Sequence, residues 1–202
     1  MIVITNVFSI RNEINTIHSL FSEGLMLLHI RKPNFSEKEL KVFLSEIKLE
    51  YRNKLVLHSH HHLAVGFGIN KLHITGKNRE QLLTSPDRFL KPVRCKTSIA
   101  STSIHSIQDF NTLSKEFDYA FLSPIYPSIS KPDYVSEVNH FETIKNRVNF
   151  STKLVALGGI SPENIQQTLE NGFDDVALLG IIWNSTNPLQ NFKKCQQIAL
   201  SY

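Results

Sequence analysis

The chain has 202 residues, of which 41% are hydrophobic and 20% are charged, a composition that excludes a disordered or fibrous protein. The net charge of +4 is modest and the basic residues form no block, which argues against nucleic acid as a partner and leaves room for a small anionic ligand. The opening MIVITNVF lacks the features of a signal peptide, and the longest apolar stretch, near VALLGIIW, is too short to span a bilayer. We therefore expect a cytoplasmic protein without a membrane segment.

Short β-rich runs alternate with helical periodicity along the whole chain. Most of the runs are continuously apolar, which predicts strands buried on both faces of a parallel sheet. The predicted strands are residues 2–5, 25–30, 55–58, 71–74, 95–100, 119–122, 153–157 and 176–180. Eight βα units without a linker predict an α/β protein, a (β/α)8 TIM barrel that forms a single domain over residues 1–202. A doubly wound open sheet is the alternative, although no G-x-G-x-x-G motif follows the first strand.

Four helices carry recognisable signals. Ser36 and Glu39 form a capping box ahead of an apolar stripe that begins at Leu40. In a second helix, Ser161 is the predicted N-cap, Pro162 takes the first helical position and Gly172 ends the helix. Two further stripes are marked by Phe141, Ile144 and Val148, and by Ile104, Ile107 and Phe117.

The carboxyl ends of barrel strands form the functional site, so the residues that follow each strand are the candidates for binding. Gly158 and Gly159 allow backbone amides to approach a ligand closely, and with Gly180 they lie where barrels often bind phosphate. We predict a phosphate cup at these three glycines. Arg31 follows LLHI directly, where its bidentate donors could hold a second anion.

The segment FLSPIYPSISKPDY, residues 121–134, follows the sixth predicted strand. Its prolines exclude a helix or a central strand, so it is a shaped loop. Its hydroxyl and ammonium donors could converge on an anion; they are Ser123, Ser128, Ser130 and Lys131. The alternative is a surface loop in which the prolines only lower the entropy of the unfolded chain.

The histidines of HSHHH, residues 58 and 60–62, raise a metal hypothesis because imidazoles bind zinc readily. However, consecutive histidines at a strand-to-helix corner point in different directions, and no cysteine ligand or H-E-x-x-H spacing accompanies them. We therefore predict that His58 and His60 are polar residues of the rim or ligand contacts, and we predict no metal ligand.

These segments together resemble thiamine phosphate synthase and its TenI relatives, a family of (β/α)8 barrels. SPIYPSISK resembles the family's G-P-I-[FY]-P-T-x-T-K loop, and four further segments resemble family motifs: LLHIRK, KLHI, SIHS and ALGGISPENI. The resemblance implies a transferase of thiamine biosynthesis. Such an enzyme condenses hydroxymethylpyrimidine pyrophosphate with a thiazole phosphate and releases pyrophosphate.

The family's functional residues can be carried over onto the matching positions. The resemblance implies that pyrophosphate is bound by Arg31, Ser103, Ser128, Ser130 and Lys131, and the thiazole phosphate by Gly158, Gly159 and Gly180. The catalytic candidates are His29, Arg31, His105 and Lys131. The implied partners are phosphorylated small molecules, and a homodimer is left open.

Several positions depart from the family pattern. An Asn-Asp pair that contributes a magnesium aspartate is replaced by His58 and Ser59, and the second magnesium aspartate aligns with Asn78. Magnesium is the implied cofactor, but neither of its carboxylates is present at these positions. Two alternatives therefore remain: a TenI-like thiazole tautomerase with His29, His58 or His105 as general base, and a non-catalytic regulator that binds a phosphorylated ligand.

Overall fold

The structure is a computed structural model that describes residues 1–79, 99–127 and 138–202. In the described residues, eight strands pair in chain order and close into a parallel barrel. They are β1 (Ile2–Ile4), β2 (Leu28–Ile30), β3 (Leu55–Leu57), β4 (Lys71–Ile74), β5 (Ile99–Ile104), β6 (Tyr119–Leu122), β7 (Lys153–Leu157) and β8 (Asp175–Leu178). The predicted (β/α)8 fold is confirmed, and the open doubly wound sheet is excluded.

Helices follow β1, β2, β5, β6, β7 and β8. They are α1 (Glu13–Ser22), α2 (Glu37–Glu46), α3 (Ile107–Asn111), α4 (His140–Thr143), α5 (Ile165–Glu170), α6 (Gly180–Trp183) and α7 (Pro188–Ala199). Short 3-10 turns lie at Leu49–Lys54, His61–Leu63, Val65–Phe67 and Ile144–Asn146. None of the helices in the described ranges combines the length and the apolar character needed to cross a bilayer.

The first compact unit, Val3–Ala100, contains β2, β3 and β4 and most of β1. Leu28 of β2 and Leu55 and Leu57 of β3 are fully buried apolar residues of this unit. The predicted capping box is confirmed: the Ser36 hydroxyl accepts a hydrogen bond from the Glu39 amide, and the Glu39 carboxylate accepts one from the Ser36 amide. This cap satisfies amides that would otherwise lack partners at the start of α2.

The second compact unit consists of Met1–Ile2 and Ser101–Tyr202. Its strands β6 and β7 pair from Tyr119 opposite Lys153 to Leu122 opposite Ala156, and all four residues of β6 are buried. Helix α7 packs against α5 and α6 and buries Phe192 and Cys195.

Three predicted strands differ from the structure by one or two residues, since β1 ends at Ile4, β3 ends at Leu57 and β8 runs from Asp175 to Leu178. Two further strands differ more. β2 begins at Leu28 rather than at residue 25, and Met26 is 68% exposed, so the preceding residues do not all belong to the buried sheet. β5 runs from Ile99 to Ile104, whereas the prediction ended it at residue 100, and residues 95–98 lie outside the described ranges. The prediction that placed Ile104 in a helical stripe was therefore wrong, because this residue pairs with Leu122 of β6.

Two predicted helices also differ. The helix expected to start at Ser161 begins at Ile165, because the Asn164 side chain accepts from the Ser161 amide and donates to the Gly159 carbonyl, which closes a turn ahead of the helix. The stripe ending at Val148 was wrong at that residue, which is 72% exposed. Helix α4 gives way to the 3-10 turn Ile144–Asn146 before the chain reaches Val148.

Candidate functional site

Three histidines of the first unit meet near the ends of β2, β3 and β4. His29 lies within β2, His58 directly follows β3, and His73 lies within β4. Leu57 pairs with Leu72, so the next residues, His58 and His73, are cross-strand neighbours, and their rings stack with centroids 4.0 Å apart. His29 Nδ1 lies 2.8 Å from His58 Nε2. The barrel register therefore creates a cluster that no local motif in the sequence indicates.

Burial governs the charge state of this histidine cluster, which consists of His29, His58 and His73. Desolvation lowers the pKa of His29 and of His58 well below the ordinary value; the neighbouring His73 adds to both shifts, and Arg31 adds to that of His58. Desolvation lowers the pKa of His73 to about 3, and His61 and Arg31 add to the shift. All three imidazoles are therefore neutral at physiological pH. The catalytic candidate His29 is fully buried and contacts other histidines.

Arg31 emerges just beyond β2 and is exposed, as expected for an anion-binding residue. Its backbone is fixed by the buried Thr5 of the first unit: the Arg31 amide donates to Thr5 Oγ1 over 2.9 Å, and the Thr5 amide donates to the His29 carbonyl over 2.9 Å. Thr5 thus sets the direction in which the chain leaves β2. The sequence prediction missed this residue, since nothing in its neighbourhood marks it as functional.

The neighbouring Lys32 has a structural role. It is fully buried, and its ammonium donates to both carboxylate oxygens of Glu13 at 2.7 Å and to the Phe8 carbonyl at 2.9 Å. The ammonium also lies over the rings of Phe35 and Phe43. The adjacent cations Arg31 and Lys32 therefore face different surroundings, one exposed and one inside the unit.

The HSHHH histidines diverge, as their spacing predicts. His60 Nε2 donates to the Phe35 carbonyl over 2.9 Å, and His62 Nε2 lies 3.0 Å from a Glu37 carboxylate oxygen. His61 makes backbone hydrogen bonds at Leu57, His58 and His73. Of the predicted rim pair, His58 joins the histidine cluster, and His60 is held by the loop that leads into α2.

In the second unit, two candidates lie at the end of β5. Ser103 is half-buried and pairs with Phe121 across the strands. His105 is exposed, and its Nδ1 lies 2.8 Å from the Ser123 carbonyl oxygen. A carbonyl only accepts, so Nδ1 is the donor in this contact. Nε2 is therefore the ring nitrogen with which His105 could contact a ligand.

The glycines after β7 pack against the loop after β6. The amides of Ile125 and Tyr126 donate to the carbonyls of Leu157 and Gly158, each over 3.1 Å. Gly158 and Gly159 have φ of +100° and +65°, and a Cβ at Gly159 would lie 2.5 Å from the Pro127 carbonyl oxygen. These glycines are therefore required by the contact between two loops, a reason that is separate from the predicted phosphate cup.

The remaining predicted site residues of the second unit are Gly180 and those of the loop after β6. Gly180 begins the four-residue helix α6. The Ser123–Pro124 peptide is cis, and the Tyr126 hydroxyl lies 3.0 Å from Thr168 Oγ1 of α5, which anchors the start of the loop. Ser128, Ser130 and Lys131 lie outside the described residues, so their pyrophosphate role stays a prediction.

A family model for thiamine monophosphate synthase matches residues 1–182. The chain belongs to the thiamine monophosphate synthase family. The thiamine-phosphate synthase of Staphylococcus haemolyticus is 29% identical over 155 residues, which cover 75% of this chain and 69% of that protein. The thiamine-phosphate synthase of Clostridium tetani is 27% identical over 164 residues, which cover 79% and 75%.

A solved structure of the same family supports the barrel. Thiamine phosphate pyrophosphorylase from Bacteroides thetaiotaomicron superposes with a TM-score of 0.74 at 27% identity, and the match covers 98% of this chain and 96% of that one. Family membership thus extends over nearly the full barrel.

Membership in the thiamine monophosphate synthase family raises the question of magnesium. The positions expected to supply carboxylates are His58, Ser59 and Asn78, which offer an imidazole, a hydroxyl and an amide. Magnesium prefers oxygen ligands and is usually held through carboxylates, so these three residues do not fit a protein-held magnesium ion. We assign no magnesium ligand within the described part of the chain.

Proposed function

We propose that this chain is a thiamine-phosphate synthase, a transferase of thiamine biosynthesis. The observation that carries the proposal is the match of the synthase family model to residues 1–182, on a chain that folds as a closed parallel barrel. The substrates are hydroxymethylpyrimidine pyrophosphate and a thiazole phosphate, and the products are thiamine phosphate and pyrophosphate. The phosphorylated substrates belong to the cytoplasm, where we place the protein.

The reaction exchanges one bond for another at a single carbon. The bond between the pyrimidine methylene carbon and the pyrophosphate oxygen breaks, and its electron pair leaves with pyrophosphate. The thiazole nitrogen then donates its lone pair to the same carbon and becomes the thiazolium nitrogen. Catalysis therefore depends on donors around the leaving group and on a held acceptor.

Arg31 is the residue of the first unit best suited to the leaving group. The residue is exposed, partial desolvation lowers the pKa of its guanidinium, its backbone is fixed by Thr5, and its fork of donors matches pyrophosphate oxygens. In the second unit, Ser103 offers a half-buried hydroxyl, and the family resemblance adds Ser128, Ser130 and Lys131, which lie outside the described residues. We assign these donors to pyrophosphate.

The neutral histidines are compatible with the positive charge that develops on the pyrimidine methylene carbon as pyrophosphate leaves. A protonated imidazole beside the pyrimidine carbon would oppose the positive charge that appears as pyrophosphate leaves, whereas the pKa of His29 is held far below neutrality by burial. In the metal-free protein the histidine cluster therefore carries no positive charge. The packed glycines Gly158 and Gly159 fix the backbone that would receive the thiazole phosphate.

The test is a coupled assay on the purified full chain with both substrates, with magnesium or manganese varied. Thiamine phosphate is expected to form well above the no-enzyme background. Replacement of Arg31 by Ala should lower turnover by tenfold or more, since one charge-assisted contact is worth about 1.5 to 3 kcal/mol. Lys48→Ala removes an exposed cation ahead of β3 and should leave turnover unchanged.

Two outcomes would overturn this proposal. A folded protein that forms no thiamine phosphate with any metal is not a synthase, and equal losses for the Arg31 and Lys48 variants would remove the role of Arg31. If NMR of the thiazole carboxylate phosphate then shows accelerated exchange between ring tautomers, and His105→Ala abolishes it, the chain is a tautomerase. Ligand binding without either activity would identify a regulator.

A further inference from the structure

The histidine cluster resembles a metal-binding site rather than an ordinary set of core residues. Each of His29, His58 and His73 offers a ring nitrogen, and these three atoms all lie within 4.8 Å of one another. They come from three successive strands, so the barrel backbone holds them in place. It is the one group in the described residues in which three potential metal ligands meet in this way.

The donor set is selective. Three neutral imidazoles suit zinc, cobalt, nickel and copper, and they do not suit magnesium or calcium, which prefer oxygen. Burial keeps all three rings in the neutral, metal-binding form. A site of three histidines also leaves one tetrahedral position for a further ligand, as in catalytic zinc sites.

A small movement of the three imidazole rings would bring their nitrogens to the distances and directions of a tetrahedral zinc site. Two nitrogens bound to one tetrahedral zinc ion lie about 3.3 Å apart, given bonds of about 2.05 Å. His29 Nδ1 and His58 Nε2 are 2.8 Å apart and need to separate slightly. The rings of His58 and His73 stack with an interplanar angle of 18°, so they must tilt until both lone pairs point to one ion.

Two residues beside the histidine cluster, His61 and Arg31, would affect metal binding there. His61 contacts the backbone at His58 and His73, and its Nε2 is buried without a hydrogen-bond partner in the described residues, so a further nitrogen donor lies beside the cluster. Arg31 carries a positive charge close enough to act on His58 and His73. That charge opposes a bare dication, and an oxygen anion in the fourth position would offset both charges.

We propose that His29, His58 and His73 form a binding site for one divalent transition-metal ion, with zinc as the reference ion and a fourth position open to water or an anionic oxygen. This site goes beyond the proposed synthase reaction and does not depend on it.

The test uses the untagged full-length chain, because a polyhistidine tag would itself bind the metal. Protein stripped with a chelator is titrated with Co²⁺ and with Zn²⁺, and bound metal is counted by mass spectrometry after gel filtration. We expect one equivalent per chain, intense visible absorption of the Co²⁺ form typical of four-coordination, and a higher melting temperature with Zn²⁺.

Matched histidine variants locate the site. His58→Gln and His73→Gln should each weaken Zn²⁺ binding tenfold or more and abolish the melting shift, because one of three ligands is lost. His62→Ala removes an exposed histidine of the same segment that contacts Glu37 instead, and binding should be unchanged. His58 is only half-buried, so its variant is the one expected to fold, which circular dichroism checks.

Three results would overturn the proposal. These are a folded wild-type chain that binds no Co²⁺ or Zn²⁺ at stoichiometric concentration, a six-coordinate Co²⁺ spectrum, and a loss in His62→Ala equal to that in His58→Gln. None of these readouts uses substrate turnover. The metal site and the synthase reaction can therefore fail independently of one another.

Discussion

Replacement of Gly159 by alanine tests whether the loops after β6 and β7 depend on their close contact. A Cβ at this position would lie 2.5 Å from the Pro127 carbonyl oxygen and 2.6 Å from Tyr126 Cβ. The backbone also has a φ of +65°, which L-residues other than glycine rarely adopt. Both effects act against the substituted chain, so the variant should be destabilised and its β6 loop displaced.

The expected loss of stability is the sum of the conformational strain and the overpacking. The left-handed conformation costs about 1 to 2 kcal/mol for a residue with a Cβ. Overpacking against backbone atoms adds about 1 to 3 kcal/mol. The sum of about 2 to 5 kcal/mol corresponds to a fall in melting temperature of about 4 to 20 °C for a chain of this size.

Two glycines of the first unit are matched controls for this prediction. Gly68 has a φ of +69° but a Cβ there would meet no atom within 4 Å, so Gly68→Ala isolates the conformational term of about 1 to 2 kcal/mol. Gly66 also has open space and no left-handed φ, so Gly66→Ala should be neutral or slightly stabilising. Thermal unfolding measures all three. If Gly159→Ala loses no more stability than Gly68→Ala, the loop contact does not constrain the chain.

Three further predictions follow from single residues. Lys131→Ala should weaken binding of the pyrimidine pyrophosphate by about 1.5 to 3 kcal/mol in calorimetry, whereas Lys153→Ala, at the exposed amino end of β7, should not; equal affinities would make Lys131 a surface residue. Lys32→Met should cost about 3 to 5 kcal/mol in urea unfolding, because it leaves Glu13 buried without its cation. Burial raises the pKa of Glu13, so the folded Lys32→Met variant binds a proton at Glu13 more tightly than the unfolded chain does. The free energy of unfolding of this variant should therefore fall as the pH rises above the ordinary value of 4.5. A variant that is less stable in acid than at neutral pH would contradict this. Ser36→Ala should cost about 1 kcal/mol in the same unfolding assay by removing the hydroxyl of the capping box, and no change would show that the Glu39 carboxylate alone caps α2.

The sequence prediction of the fold succeeded where the signal is local. Continuous apolar runs located the eight strands, and the Ser36–Glu39 capping box matched the structure, because strand burial and capping depend on residues close together in the chain. The prediction failed at Ile104, which pairs with the distant Leu122 of β6, and at two helix boundaries, where the local turns were not anticipated. Asn164 bridges Ser161 and Gly159, which displaces the start of α5, and Val148 is exposed although it continues an apolar stripe.

The candidate site residues could be predicted only in part. Arg31 and His105 were chosen because they follow strands and resemble family motifs, and the structure places both at exposed positions after β2 and β5, while their roles stay predictions. Thr5 was missed, since its contact with Arg31 crosses from β1 to β2. The glycines after β7 were predicted to approach a ligand, and the structure adds the carbonyl of Pro127 as a close neighbour. Ser128, Ser130 and Lys131 lie outside the described ranges and stay predictions.

The sequence by itself determined the (β/α)8 barrel, because the apolar runs and helical periodicity depend on residues close together in the chain. It also determined the thiamine monophosphate synthase family, because the loop motifs that resemble this family are short. Only the tertiary structure decided that His29, His58 and His73 meet, since their contact depends on the register of three strands separated by tens of residues. Pairing is fixed by the packing of whole strands against one another, and a shift of one residue would move an imidazole to the other face of the sheet. The histidine cluster is thus a property of the closed barrel and of no single segment.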